Sequence, residues 1–180
     1  MKRALVFWFT GLSGSGKTTV AFAVKSSMTE KVLKVLVVDG DEFRSKHNLG
    51  FTEQDIKKNN EWIAKHCEQE RANFDVILVP IISPYAESRK KARELLGRGF
   101  YEVYFSADLK CVMARDSKGL YRKARSNEIK NLIGYSKSNP YEAPQSPDLV
   151  VPTDRQTPEE SASLLGQFIH GCIHANLPSA

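Results

Sequence analysis

A glycine-rich stretch near the N-terminus, Gly11-Leu12-Ser13-Gly14-Ser15-Gly16-Lys17-Thr18, decides the fold. It matches the pattern G-x-x-x-x-G-K followed by Ser or Thr, it follows an apolar run at residues 5–10, and it opens a helical pattern at residues 18–30. In such a loop the glycines let backbone N–H groups curl around phosphate oxygens, and the N-terminus of the next helix adds positive potential. The stretch therefore predicts a phosphate-binding loop between a buried strand and a helix.

The last two residues of this loop indicate which phosphates it binds. A lysine at the position of Lys17 reaches the β and γ phosphates of a nucleoside triphosphate, and the hydroxyl group at the position of Thr18 holds Mg²⁺. The loop therefore predicts ATP and Mg²⁺ as cofactors of a phosphoryl-transfer enzyme, with Lys17 as a catalytic residue.

Beyond the loop, short apolar runs alternate with amphipathic stretches. Such alternation predicts an α/β fold of the P-loop NTPase type, with three α/β/α layers around a central parallel sheet. Right-handed crossovers bring the C-terminal ends of the strands to one edge, where ligands bind. The predicted strands are residues 5–10, 32–39, 74–82, 101–105 and 149–151, and the predicted helices are residues 18–30, 55–72, 85–96 and 158–175.

Composition limits the class of protein further. The chain has 180 residues, of which 41% are hydrophobic, and this suits a single domain over residues 1–180. Its apolar runs fall well short of the roughly 20 residues that a membrane span needs, so we expect a cytoplasmic protein with no membrane partner. The net charge of +5 is scattered and accompanies no nucleic-acid-binding motif, which favours a small polyanion over nucleic acid as the partner. The cluster Arg89-Lys90-Lys91 is expected to be a solvated helix face.

A polar segment at residues 117–147 interrupts the alternation. It is basic at its start, where Lys118, Arg122, Lys123 and Arg125 lie close together. Loops of this length in a compact domain are usually functional or disordered. Because the segment is basic and follows a phosphate-binding loop, we expect a lid that covers the phosphates.

Polar residues also follow two of the predicted strands at the ligand-binding edge. Asp39 and Asp41 end the second strand, and carboxylates there can hold a metal or accept a proton from an acceptor hydroxyl group. The alternative is a turn with a helix cap, because Asp and Gly favour both. Ser83 follows the third strand, where it can cap the next helix, with Pro84 at the first helical position, or face the phosphates, and the two roles are compatible.

Longer motifs extend in order along nearly the whole chain. They are Phe9-Thr10 before the loop, Val38-Asp39-Gly40-Asp41 with Arg44 after it, Leu49-Gly50-Phe51-Thr52-Glu53, Ile82-Ser83-Pro84-Tyr85, Lys118-Gly119-Leu120-Tyr121, Glu128-Ile129-Lys130-Asn131 and Pro140-Tyr141-Glu142-Ala143-Pro144. Together they resemble the adenylylsulfate kinase (APS kinase) family, whose members phosphorylate the ribose 3′-hydroxyl group of adenosine 5′-phosphosulfate (APS). The resemblance implies a small-molecule nucleotide as acceptor and a homodimer.

The resemblance also implies roles for the matching residues. Asp41 would handle the acceptor hydroxyl group, Phe51 would stack on the acceptor base, and Ser83 is the serine to which the family's phosphoserine role has been assigned. Direct in-line transfer with Mg²⁺ is physically sufficient without that intermediate. The implied ATP-binding residues are Gly11, Ser13, Gly14, Ser15, Gly16, Lys17, Thr18, Thr19 and Arg115. The implied acceptor-binding residues are Asp41, Arg44, Phe51, Asn59, Ile82, Ser83, Lys118, Gly119, Leu120 and Leu132, and the implied metal-binding residues are Thr18 and Asp39.

Three departures from the family pattern fall on the acceptor side. Ile56 stands where the family usually has an arginine for the phosphosulfate end, Leu132 stands where it has a second base-stacking phenylalanine, and the lid is longer around Ser138-Asn139. Three hypotheses therefore remain: APS kinase proper, which the resemblance favours, a 3′-kinase of another activated nucleotide such as cytidine diphosphoramidate, and a catalytically inactive nucleotide sensor. The intact Lys17 and Asp41 argue against the sensor.

Overall fold

Parallel strands form the centre of the structure, a computed structural model that describes residues 3–30 and 32–176. The sheet has five strands in the order β2-β3-β1-β4-β5, and every neighbouring pair is parallel. The strands are β1 (Leu5–Thr10), β2 (Val35–Val37), β3 (Val76–Val79), β4 (Phe100–Ser106) and β5 (Leu149–Pro152). The helices are α1 (Lys17–Thr29), α2 (Gly40–Lys46), α3 (Glu53–Glu70), α4 (Ala86–Leu96), α5 (Leu109–Arg115), α6 (Leu120–Arg125) and α7 (Pro158–Ala175).

Both faces of the sheet are covered, as the uninterrupted apolar sequence of β1 requires. Phe7 and Phe9 of β1 point into a core that α1 and α7 close, and Val6 and Trp8 point into a second core that α3 and α4 close. All six residues of β1 are buried. The three-layer α/β/α fold predicted from the sequence is confirmed.

The ends of the long helices follow sequence signals. Thr52 begins α3 and Thr157 begins α7, and each forms a capping box with an acidic residue three positions on, Asp55 and Glu160. Gly97 ends α4 with a positive φ of 56°. Among the described residues, 3–30 and 32–176, no helix is both long and apolar enough to cross a membrane.

Three short helices were not predicted, and all of them lie near the ligand-binding edge. The second strand, predicted at residues 32–39, covers only Val35–Val37, and α2 begins directly after Asp39. The expected loop at residues 117–147 contains α6, which buries Tyr121 and Ala124. These residues form a third apolar cluster with Leu12, Val112 and Leu132, so this segment packs on the domain at its base. Helices of six or seven residues give too few periodic positions to be recognised in a sequence.

Candidate active site

A cavity of about 1150 Å³ opens at the edge of the sheet where β1, β2 and β3 end. Three predicted site residues, Gly11, Ser15 and Gly119, do not line it. The predicted residues that do line it are Ser13, Gly14, Gly16, Lys17, Thr18, Thr19, Asp39, Asp41, Arg44, Phe51, Asn59, Ile82, Ser83, Arg115, Lys118, Leu120 and Leu132. The fold thus gathers residues from along the chain around one cavity.

The backbone of the glycine-rich loop takes conformations that need glycine. Gly16 precedes α1 with φ 84° and ψ 3°, in the left-handed region. Gly11 has φ 153°, and a Cβ atom there would lie 2.6 Å from the carbonyl oxygen of Phe105. Although Gly11 does not line the cavity, its lack of a side chain lets the loop pack against β4. These conformations hold the loop at the N-terminus of α1, the arrangement that binds phosphate.

Lys17 is folded back onto this loop. Its Nζ atom donates hydrogen bonds to the carbonyl oxygens of Gly11 (2.9 Å) and Leu12 (2.7 Å) and to Oγ of Ser15 (3.1 Å). Burial, aided by the positive charge of Lys118, lowers the pKa of Lys17 from its usual 10.5 to about 7. A phosphate group beside this ammonium group would reverse the effect, because an opposite charge favours the charged form.

The two aspartates after β2 have different surroundings. Oδ1 of Asp39 accepts hydrogen bonds from the backbone N–H groups of Asp41 (2.8 Å) and Glu42 (3.2 Å), so Asp39 caps α2 as the alternative interpretation expected. Asp41 lies two residues further, in the first turn of α2, and pairs through Oδ2 with Nζ of Lys118 at 2.8 Å. The hydrogen bond to Asp41 raises the pKa of Lys118. This exposed pair joins α2 to the start of the expected lid across the cavity.

Ser83 does not cap a helix, so that part of the prediction is wrong. The residue before α4 is Tyr85, and the backbone N–H group of Ala86 donates instead to the carboxylate of Glu142 (2.7 Å). Ser83 is 2% exposed with φ 43°, and its Oγ atom accepts hydrogen bonds from the indole N–H of Trp8 (3.0 Å) and the amide of Asn60 (3.1 Å). Both lone pairs of the hydroxyl oxygen are therefore engaged.

The acceptor side of the cavity carries polar atoms that lack a partner. Within the described chain, Oδ1 of Asn59 and Nε of Arg44 are buried without a hydrogen bond. The guanidinium group of Arg44 lies over one face of the Phe51 ring, 4.6 Å from its centroid, and donates to the carbonyl oxygen of Gly50 at 2.6 Å. Phe51 remains 53% exposed. A ligand that offers a donor to Asn59 and a flat face to Phe51 would satisfy this wall.

The two departures from the family pattern inside this region are packing residues. Ile56 is 2% exposed and packs with Tyr85 and Ile133, although it also borders the cavity. Leu132 is 7% exposed and belongs to the apolar cluster beneath the expected lid. Ile56 therefore supports the wall from behind, and an arginine in its place would bury a charge.

The interpretation of Arg89 as part of a solvated helix face is wrong. Arg89 is 4% exposed, and its guanidinium group donates to Glu102 Oε1 (2.6 Å), to the Ser83 carbonyl (2.8 Å) and to the Glu142 carbonyl (2.8 Å). Tyr141 beside it shares a hydrogen bond of 2.8 Å with Thr10 of β1. The end of the expected lid is thus bound to the sheet. A charged triplet on a helix gives no signal that one of its members is buried.

Sequence reasoning missed a further group of lining residues, which lie in the turn between β5 and α7 and in the first turn of α7. The side chain of Arg115 donates a hydrogen bond to the carbonyl oxygen of Thr153, which connects this turn to the predicted ATP-binding residues. No sequence motif marks the turn, and only the strand order brings it to the same edge. The missed residues are Thr153, Gln156, Pro158 and Ser161.

A parallel sheet with a glycine-rich loop before its first helix, and a lysine at the end of that loop, defines the class of P-loop proteins that bind nucleoside triphosphates. The model of the adenylylsulphate kinase family matches residues 3–152, and the chain belongs to that family. It is 44% identical over 182 residues to the adenylyl-sulfate kinase of Halothermothrix orenii, covering 98% of this chain and 95% of the relative. It is 41% identical to the enzyme of that name from Geotalea uraniireducens, covering 93% and 81%.

Solved structures agree with this assignment. The APS kinase of Mycobacterium tuberculosis in complex with AMPPNP and APS superposes with a TM-score of 0.86 at 35% identity, covering 94% of this chain and 99% of that one. The gluconokinase of Sinorhizobium meliloti superposes with a TM-score of 0.61 at 14% identity, which extends the likeness of fold to another small-molecule kinase. The comparisons favour neither a kinase specific for another activated nucleotide nor an inactive nucleotide sensor.

Proposed function

We propose that the chain transfers the γ-phosphoryl group of ATP to the ribose 3′-hydroxyl group of APS, giving 3′-phosphoadenosine 5′-phosphosulfate. The observation that carries the proposal is that one cavity is lined both by the phosphate-binding loop and by the acceptor side, which includes Asp41 and Phe51. Two nucleotides can therefore bind with their reacting groups adjacent. Membership of the adenylylsulphate kinase family supplies the acceptor.

The reaction is a direct in-line displacement. The 3′-oxygen of the acceptor forms a bond to the γ-phosphorus as the bond to the β,γ-bridging oxygen breaks, and ADP leaves. Lys17 leaves the loop carbonyls to contact the β and γ phosphates and stabilises the charge that develops there. Asp41 accepts the proton of the hydroxyl group once its ion pair with Lys118 opens.

The residues around the loop fit a bound Mg²⁺ ion. Thr18 and Asp39 both line the cavity, and hydroxyl and carboxylate oxygens are the kind of ligand that Mg²⁺ prefers. When bound, the ion neutralises charge on the β and γ phosphates. Asp39 uses one carboxylate oxygen to cap α2, so the same side chain can fix the helix that carries Asp41 and hold the metal.

Ser83 is proposed as a positioning residue and not as a phosphorylated intermediate. A hydroxyl oxygen that already accepts two hydrogen bonds has no lone pair left for attack on phosphorus without breaking one of them. Trp8 and Asn60 together hold the loop after β3 at the wall of the cavity.

Residues 117–147 are proposed to act as the lid of a single domain that spans residues 1–180. The apolar cluster that includes Tyr121 anchors its base, and Tyr141 anchors its end on β1. Closure would then be local, around Lys118 and the basic residues of α6, and would bring positive charge over the phosphates.

An acceptor comparison tests the proposed function. The purified chain is incubated with ATP and Mg²⁺ and either APS or cytidine diphosphoramidate, and the 3′-phosphorylated product and ADP are quantified. We expect product from APS and a much lower catalytic efficiency with the pyrimidine nucleotide. Preference for the pyrimidine nucleotide would overturn the acceptor, and ATP binding without turnover of either would favour a sensor.

The oligomeric state and the cellular location of the protein are also proposed. The proposal of a homodimer rests on the family resemblance, and multi-angle light scattering at micromolar protein concentration tests it against a monomer. Reaction in the cytoplasm rests on the need for ATP, and fractionation of the native host followed by immunodetection tests it.

A further inference from the structure

Asn139, a side chain to which the family resemblance gives no role, lies where the acceptor half of the cavity meets the lid. It belongs to the stretch that makes the lid longer than the family pattern. Asn139 is 3% exposed, although Lys137, Ser138 and Pro140 around it are exposed. A buried carboxamide in an exposed stretch must find its hydrogen-bond partners within the protein.

The carboxamide of Asn139 bonds to three separate segments. Its Nδ2 atom donates to the backbone carbonyl oxygens of Asn131 (2.8 Å) and Phe51 (3.1 Å), and its Oδ1 atom accepts from the hydroxyl group of Tyr85 (3.0 Å). Both amide hydrogens are therefore used. The carbonyl oxygen of Asn139 itself accepts from the backbone N–H group of Gly134 (2.8 Å), which fixes this turn of the lid.

These bonds fix two walls of the acceptor half relative to each other. Arg44 covers one face of the Phe51 ring and the rest is exposed, while the backbone of Phe51 is held by the hydrogen bond from Asn139 to its carbonyl oxygen. Asn131 precedes Leu132, whose side chain lines the cavity from the lid. The side chain of Asn131 also donates directly to the Phe51 carbonyl oxygen, at the longer distance of 3.4 Å. Because one Nδ2 atom of Asn139 binds both backbones at shorter distances, Asn139 is the stronger of the two bridges that set the spacing between Phe51 and Leu132.

We infer that Asn139 is a positioning residue for the acceptor nucleotide: it sets the width of the slot bordered by Phe51 and Leu132. The inference rests on the proposed function, since it concerns the binding of APS. Hydrogen bonds from the Asn139 side chain reach none of the predicted ATP-binding residues. Acceptor binding therefore depends on this side chain, and ATP binding does not.

Kinetic constants of the variants Asn139→Ala and Asn139→Asp test the inference. Both remove the donation to the two carbonyl oxygens, but aspartate keeps an oxygen for the Tyr85 hydroxyl group. We expect Asn139→Ala to raise KM for APS by roughly three- to tenfold, the effect of one or two lost neutral hydrogen bonds, and Asn139→Asp to raise it further, because its carboxylate would face the two carbonyl oxygens. The kcat value and KM for ATP should stay within about twofold of wild type. Ser138→Ala, at the exposed neighbouring position, is the matched control and should behave as wild type.

A binding measurement separates positioning from mere support of the fold. APS is titrated into each variant in the presence of ADP and Mg²⁺, from which no phosphoryl group is transferred to APS, and the thermal midpoint is recorded. Weaker APS binding with unchanged ADP binding supports the inference. Unchanged KM for APS, or a parallel loss of both ligands and of thermal stability, would overturn it. If the wild-type protein turns over APS, the proposed function stands whether or not the Asn139 variants behave as expected. If the wild-type protein does not use APS, the proposed function fails, and the inference about Asn139 fails with it.

Discussion

The two halves of the cavity differ in how completely their polar groups are satisfied. In the ATP half, Ser15 and Lys17 are buried and bonded within the loop, above a strand that is buried throughout. In the acceptor half, none of the seven described residues of α2 is buried, and Arg44 and Asn59 each keep a buried polar atom without a partner among the described residues. Apart from Lys17, which turns from the loop carbonyl oxygens to the phosphates, the ATP half is thus preformed, whereas the acceptor half needs its ligand to complete it. Substitutions should therefore affect turnover in the first half and acceptor binding in the second.

Removing the ammonium group of the loop tests the preformed half most severely. We expect Lys17→Ala to lower kcat by about three orders of magnitude or more, because charge stabilisation of the transferred group is lost. The fold should survive, since burying this ammonium group costs free energy. Lys25→Ala on the same helix is the control, and steady-state kinetics with circular dichroism are the measurements. Near-normal turnover would rule out the assigned role of the loop.

Neutralising the carboxylate at the boundary of the halves should have the next largest effect. We expect Asp41→Asn to lower kcat by roughly a hundredfold, the usual contribution of a general base. Lys118→Ala removes the ion partner while leaving the carboxylate, so it tests whether the loss comes from the proton acceptor or from the pair. Equal losses in kcat for the two variants would show that the ion pair, and not the base, matters.

Hydrogen exchange sharpens the comparison within the lid. We expect backbone amides of residues 117–130 to gain roughly tenfold protection when ADP, Mg²⁺ and APS bind, because the basic start of the lid closes over the phosphates. Amides near Asn139 and Glu142 should already be protected, since both residues are anchored by hydrogen bonds. Mass spectrometry with and without ligands measures this. Equal protection of residues 117–130 in both states would contradict a lid.

The smallest expected effect is the uptake of a proton by Lys17 when the nucleotide binds. With the pKa of Lys17 at about 7, roughly nine in ten molecules carry a neutral Lys17 at pH 8. Bound phosphate raises that pKa again, so binding takes up a proton and ATP affinity falls as the pH rises above 7. Calorimetry in two buffers of different ionisation enthalpy should give close to one proton per nucleotide at pH 8. The uptake should vanish in Lys17→Ala, and uptake of the same size there would assign it elsewhere.

The sequence predicted the ATP half well because its signals are local. The loop, β1 and α1 are contiguous, and their residue pattern alone requires the geometry that the structure has. In the acceptor half, Asp41 and Ser83 were predicted from their positions after strands, whereas Arg44, Phe51 and Asn59 were predicted only through resemblance. Ile56 was interpreted by its match to an acceptor-binding arginine, whereas its burial against Tyr85 and Ile133 gives it a packing role as well.

The remaining misses come from contacts between distant segments. Arg89 looked like one of three solvated charges, yet it is buried against Glu102 and two carbonyl groups far apart in the chain. Asn139 was recognised only as extra length in a polar segment, and its partners Phe51 and Tyr85 lie far away in sequence. Hydrogen bonds of this kind leave no periodicity in a single sequence, so only the structure reveals them.

The cap that Glu142 provides for α4 has a practical consequence for modifying this protein. Because its carboxylate binds the first N–H group of a helix, a label or inserted segment at Glu142 would uncap α4 and loosen the wall behind Ser83. Lys137 and Ser138, only a few residues earlier, are exposed and can carry an attached dye with little cost. A cysteine introduced at Ser138 therefore offers a reporter position next to Asn139, from which acceptor binding could be followed by fluorescence in real time.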